Sequence, residues 1–218
     1  MLIIHSTELI IKSILETHIL KAYTDNKIDL RIYATKMVNF CDFMEENGNC
    51  NSDCKKNKKK QKLDYNLVIY MMHCLSKQQH ILEKIGYSFY TFRLKDIIVI
   101  DDKYFFCIGS ELIMPINNKN KSLIFYKPPK IEDKKEENKE TYIYFSSPEL
   151  LAMNSIPFKI SVKTIYYSFG ALAIYCLGNP STYEHTKLYW FIKRCIGKEC
   201  GKECGKECGE EQRQLLFI

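Results

Sequence analysis

No part of the 218-residue sequence approaches the ~20 consecutive apolar residues that a membrane-spanning helix requires; the longest such stretch lies near Phe169 to Leu177. Also missing is the ordered series of basic segment, apolar segment and small-residue cleavage site that marks a secretory signal. Without that context, ten cysteines read poorly as a secreted disulfide framework, and a reducing compartment and a soluble protein are expected. Gly-x-Ser-x-Gly, His-Glu-x-x-His and paired-knuckle zinc patterns are absent, which removes the nucleophile-elbow hydrolases and the zinc proteases. Excess charge is modest at +6, and much of it sits in Lys55, Lys56, Lys58, Lys59, Lys60 and Lys62 among Asn and Gln. That run has no apolar periodicity and reads as a solvated loop, so neither nucleic acid nor a membrane is expected as a partner.

What is present suffices for a packed core: 46% of residues are apolar and 13% aromatic. Leu9, Ile10, Ile14, Leu15 and Ile19 recur at helical spacing behind Ser6 or Thr7 as N-cap, which predicts a first helix. Ile28, Leu30 and Ile32 alternate with polar residues, and Met37, Val38 and Phe40 follow, predicting two short strands. Residues 45–64 read as a charged linker, separating an N-terminal part (1–44) from a C-terminal part (65–218). Leu67, Met71, Leu75, Ile81 and Leu82 then share one stripe of a helix over Asn66 to Ile85, stopped by Gly86. Asp96 to Ile100 and Tyr104 to Ile108 flank Asp101-Asp102-Lys103 and predict a hairpin, and 128–140 reads as a second charged loop. Val162 to Leu177 predicts a buried helix and Thr186 to Cys195 a last one.

Three stretches then suggest a family. Tyr144-Phe145-Ser146-Ser147-Pro148-Glu149-Leu150 resembles the Ala-Pro-Glu end of a protein-kinase activation segment, with Ser147 in place of Ala. Pro148 and Glu149 also suit an ordinary helix start. Tyr166 to Leu172 is similar to the family's Asp-x-Trp-Ser-x-Gly helix and keeps Ser168 and Gly170. Gly86 to Ile98 lies over the catalytic loop and the strand after it. Together with the order helix, loop, hairpin, variable loop, Ser-Pro-Glu, buried helix, these resemble the C-terminal lobe of a eukaryotic-type protein kinase over roughly residues 66–218.

The resemblance implies an α+β, mainly α fold, with a kinase-like C-lobe and a truncated N-lobe remnant. It also implies that the chemistry is degenerate. His-Arg-Asp becomes Phe89-Tyr90-Thr91, and the metal-binding Asn becomes Asp96. Asp-Phe-Gly becomes Cys107-Ile108-Gly109, with Glu111 as a replacement carboxylate nearby. A threonine at 91 cannot accept the substrate hydroxyl's proton at neutral pH, and loss of the metal carboxylate removes a principal electrostatic contribution to phosphoryl transfer. Ile165 replaces a buried Asp that would bond the catalytic loop; without its partner such an acid costs ~1–3 kcal/mol. Glu149 and Arg213 match a buried structural ion pair. Residues 1–65 hold neither a Gly-rich phosphate loop nor a Val-Ala-Ile-Lys strand, and Glu8 or Glu16 would match the ion-pairing acid of the regulatory helix.

The expected function is therefore a catalytically impaired kinase-like protein that works by binding another protein, with no cofactor. The alternative is a divergent active serine/threonine kinase that uses ATP and Mg through Asp96. The lobe is also similar to kinase-like proteins of large DNA viruses, which implies a host signalling or viral protein as partner and a location in host cytoplasm or virion. A third reading rests on Cys195, Cys200, Cys204 and Cys208, four thiols that could complete a zinc site. Their even spacing within the Gly-Lys-Glu-Cys repeat at 197–208 fits an expanded, flexible insertion better than paired metal knuckles.

Overall fold

A computed structural model of the chain describes residues 1–47, 62–129, 145–178 and 183–196. Strand β1 (Leu2–His5) leads into helix α1 (Glu8–Leu15), followed by β2 (Ala22–Thr24) and β3 (Asp29–Ile32). These strands form an antiparallel sheet in the order β1-β3-β2. Ile4, Leu30 and Ile32 point inward with Ile10, Ile11 and Ile14 of α1, so the sheet and its helix share one apolar layer. Helix α1 is shorter than its periodicity predicts: it stops at Leu15, and Ile19 lies beyond His18, whose φ is +53°. Thr7 stands at the N-cap without a capping side-chain bond.

Strand β4 (Met37–Asn39) hands over directly to helix α2 (Phe40–Asn47). The expected strand through Phe40 and the expected linker from residue 45 are both displaced by this helix. Its stripe of Phe40, Phe43 and Met44 is buried, and Phe40 and Phe43 pack edge-on against Phe105 at 6.0 and 5.7 Å. The far end of the predicted linker is also structured: buried Leu63 donates its N–H to the Cys176 carbonyl (2.9 Å), and Asp64 caps the next helix.

Helix α3 (Tyr65–Lys84) runs as the stripe predicts, and Gly86 (φ +84°) closes it. Beyond it, β5 (Tyr87–Phe89) is followed by a 3-10 turn at Leu94–Asp96 and by the predicted hairpin, β6 (Ile97–Ile100) and β7 (Tyr104–Cys107). Asp96 belongs to the turn rather than to the strand. Asp101 and Asp102, both at positive φ, make the tight connection that the twist of a two-residue hairpin favours. Strand β4 pairs with β6, Met37 opposite Ile100, so the N-terminal segment contributes an edge to the sheet of the C-terminal part.

Strand β8 (Ile113–Pro115) returns to pair with β5, and β9 (Ser122–Phe125) pairs with β10 (Phe158–Ser161). Helices α4 (Pro148–Leu151), α5 (Thr164–Leu177) and α6 (Lys187–Ile196) complete the order. Helix α5 is buried as its composition requires, with Phe169, Leu172 and Ala173 fully enclosed. The architecture of the described residues is thus α and β in separate small units, with antiparallel sheets of two or three strands, of which β5 and β7 pack on α3 and β2 on α1. No helix among the described residues is long and apolar enough to cross a membrane.

Candidate functional site

The fold gathers the loop at 89–96, the hairpin end at 107–111 and the Ser-Ser-Pro-Glu segment into one place. Two buried amides of α3 set the first two. Gln79 Oε1 accepts the Phe89 N–H (3.1 Å) and its Nε2 donates to Ser88 Oγ (2.8 Å). Gln78, one residue earlier, bonds both the N–H and the carbonyl of Cys107. The third element docks on the first: Phe145 N–H donates to the Phe92 carbonyl (3.2 Å), and Ser146 Oγ lies 3.3 Å from Thr91 Oγ1. Ser147 accepts from Leu150 N–H (3.2 Å) and, with Pro148 next, starts α4.

Between these anchors the loop is aromatic. Phe89 and Phe92 have ring centres 5.7 Å apart, Phe92 meets Phe169 of α5 at 5.0 Å, and Tyr90 meets Phe125 of β9 at 5.2 Å. Ile165, at the position expected for a loop-bonding Asp, is fully buried and supplies no polar group. Thr91 is enclosed as well. The loop is held by packing where polar chemistry would need exposed side chains.

One residue that the sequence reading left without a role organises the polar part. Arg93, only 7% exposed along its side chain, donates through Nε to Asp96 Oδ2 and through Nη2 to Glu111 Oε1. Asp96 is 14% exposed and Glu111 64%. The Asp96 carbonyl also accepts the Ile108 N–H at 2.7 Å, tying the turn to the hairpin end. Gly109 lies against Asp96 so closely that a Cβ would stand 3.0 Å from its Cβ, Cγ and Oδ2. Cys107 is a fully enclosed thiol whose pKa burial pushes far up, so it is neutral and inert at pH 7. The only sequence signal for Arg93 was its spacing of three from Asp96; Glu111 arrives through the β5–β8 return, which no local pattern reveals.

Arg93 and Glu111 face a pocket of about 550 Å³ walled by Tyr90, Met114, Ile124, Phe125, Tyr126, Lys127 and Pro129. Tyr126 is 72% exposed on its rim. The lining mixes aromatic surface with both signs of charge.

Other predicted positions fall elsewhere. Glu149 is solvent-exposed on α4, which does not match the buried ion pair expected of it; Arg213 lies outside the described residues. Ser168 is buried and its Oγ has no hydrogen-bond partner among the described residues, while Gly170 forms the contact of α5 with α6. Cys195 is buried against Gly170, a core position; Cys200, Cys204 and Cys208 lie outside the described residues, and no metal-binding group occurs among those described. Glu8 and Glu16 make exposed surface pairs with Lys27 (3.2 Å) and Lys12 (3.8 Å). No protein-family model and no curated protein matches this chain.

Proposed function

We propose that this chain is a catalytically impaired, protein-kinase-like protein that acts by binding another protein at the pocket beside Arg93. The order of α3, the loop at 89–96, the β6–β7 hairpin, α4 and buried α5 is the order on which the kinase resemblance rests. The observation that supports impairment most is the engagement of Asp96 by Arg93. Phosphoryl transfer needs carboxylates free to hold a metal and a base free to position the acceptor oxygen. Here the one carboxylate at a metal position is taken by a guanidinium, the other position is a buried neutral thiol, and Thr91 is sealed against Ser146. These residues do not fit a magnesium-nucleotide complex, which weighs against the active-kinase alternative.

Two measurements test the reading. With millimolar ATP, with and without Mg²⁺, the unfolding midpoint is expected to stay put; a metal-dependent rise of roughly 5–10 °C, the size saturating binding gives, would overturn it. For the binding half, a photo-crosslinking residue at Tyr126 is expected to trap one protein in the native host cell. That adduct should vanish when Glu111→Lys changes the pocket charge in a chain with unaltered unfolding; an adduct indifferent to this substitution removes the pocket from the proposal.

A further inference from the structure

Asp96 and Glu111 meet on one cation, the Arg93 guanidinium, Asp96 at its Nε and Glu111 at its Nη2. The Asp96 side is held at several points: its N–H donates to the Arg93 carbonyl (3.1 Å), its own carbonyl accepts from Ile108 (2.7 Å), and Gly109 packs closely against its side chain. The Glu111 side is adjustable, since its carboxylate reaches in from the exposed end of a 3-10 turn at Ser110–Leu112. Two carboxylates, one fixed and one free to adapt, are donors of the kind that hard divalent ions take. Without a positive charge beside them the two carboxylates would repel, an interaction that solvent screens on the exposed Glu111 side and less so at Asp96, whose side chain is 14% exposed. The guanidinium supplies that charge, with Nε donating to Asp96 and Nη2 to Glu111.

We infer that Arg93 is the resident cation of this site: it stands where a divalent ion would bind, closes the position to metal, and leaves the pocket to act on its ligand without one. The inference deepens the kinase-like reading, because it gives the family's metal position to a side chain. It also stands on geometry that does not require that reading, since three side chains and Gly109 define it.

The test is a titration of the whole chain with Mn²⁺ alone, in the absence of nucleotide, followed by loss of the free-ion electron paramagnetic resonance signal. Wild-type protein is expected to leave the signal unchanged through the millimolar range. Arg93→Gln, which removes the charge and withdraws the side chain from between the carboxylates, is expected to take up one Mn²⁺ per chain, and Arg93→Gln with Asp96→Asn to lose that uptake. Stoichiometric uptake by the wild type that Asp96→Asn abolishes overturns the inference, as does a folded Arg93→Gln protein that takes up none. Should Arg93→Gln not fold, the wild-type Arg93 ¹⁵Nε resonance carries the test: unmoved by millimolar Mg²⁺ if the guanidinium excludes the ion, shifted saturably if it does not. Because no nucleotide is present, the result is separate from the ATP unfolding experiment, and either can fail alone.

Discussion

Gln78 grips Cys107 by both sides of its backbone: Nε2 donates to the Cys107 carbonyl at 2.8 Å, and Oε1 accepts the Cys107 N–H at 2.9 Å. The same Nε2 donates to Ser13 Oγ at 3.0 Å, so one buried amide joins α1, α3 and β7. The end of the hairpin, and with it the Asp96–Ile108 bond, takes its position from this side chain. Gln78→Leu keeps the volume but leaves two buried backbone groups unpaired, each worth ~1–3 kcal/mol. A loss of roughly 2–4 kcal/mol in urea unfolding is expected. Ser13→Ala, which removes the third contact and the hydroxyl's own bond to the Ile10 carbonyl (2.7 Å) while Gln78 keeps Cys107, is expected to cost about 0.5–1.5 kcal/mol. Equal losses for both would mean that the amide's grip on the hairpin contributes little.

The long elements were legible because each carries its own signal. Helix α3 has a stripe and two clear ends, α5 is apolar throughout, and the hairpin at 97–107 is two β-branched or aromatic runs around a turn. The elements not anticipated were β1, β2, α2, β5, β8, β9 and β10. Six are strands of three or four residues, too short for alternation to show, and their partners are remote: Phe89 pairs with Ile113, and Phe125 with Phe158. Helix α2 has only Phe40, Phe43 and Met44 to mark it and runs into a polar stretch. The site divides the same way. Positions such as Thr91, Asp96 and Gly109 are read off the chain by motif spacing, but the partner of Asp96 is decided by which side chain reaches it once the loop is folded, and that is a tertiary fact.

Gly170 is a position where the motif and the packing agree. A Cβ there would stand 2.8 Å from Cys195 Cβ and 2.9 Å from Ile196 Cγ1, so α5 and α6 touch through a missing side chain. Alanine would gain ~0.5–1 kcal/mol of helix propensity and lose ~1–3 kcal/mol to overpacking. Gly170→Ala is therefore expected to be net destabilising in urea unfolding, with partial recovery when Cys195→Gly removes the opposing Cβ. A more stable Gly170→Ala protein would show that the helices can separate freely.

Asp101 gives the molecule an acid-sensitive latch. Its Oδ1 accepts from Lys36 N (2.9 Å), Thr35 Oγ1 (2.8 Å) and Thr35 N (2.8 Å), fastening the connector between β3 and β4 to the hairpin turn. These donors hold its pKa below the usual 3.8, the Lys36 amide foremost. A depressed carboxylate stabilises the folded state above its unfolded pKa, and that contribution is lost as pH falls through the folded value. The wild-type urea midpoint is therefore expected to fall between neutral pH and about pH 3, and Asp101→Asn to lessen that fall. Asp29, also depressed, chiefly through its hydrogen bond from Asn26, stays in both proteins, so their difference reports Asp101. Parallel acid limbs would remove the latch.

Thiol chemistry offers a direct reading of the enclosed loop. Burial raises the Cys74 pKa to about 11 and pushes those of Cys107 and Cys176 higher still, whereas Cys41 is exposed on α2. The thiolate is the reactive form, and with a pKa near 11 roughly one molecule in a thousand carries it at mildly alkaline pH. Steric enclosure reduces reaction further, so labelling of the buried thiols has to proceed through opening of the structure. Iodoacetamide treatment followed by peptide mapping is expected to modify Cys41 in the native protein and Cys74, Cys107 and Cys176 only after denaturant is added. Cys107 is the informative one, because it stands where the family resemblance calls for a metal-binding carboxylate. Native labelling of Cys107 at the rate of Cys41 would mean that the hairpin end opens readily, and the buried, neutral thiol would then no longer count against metal binding there.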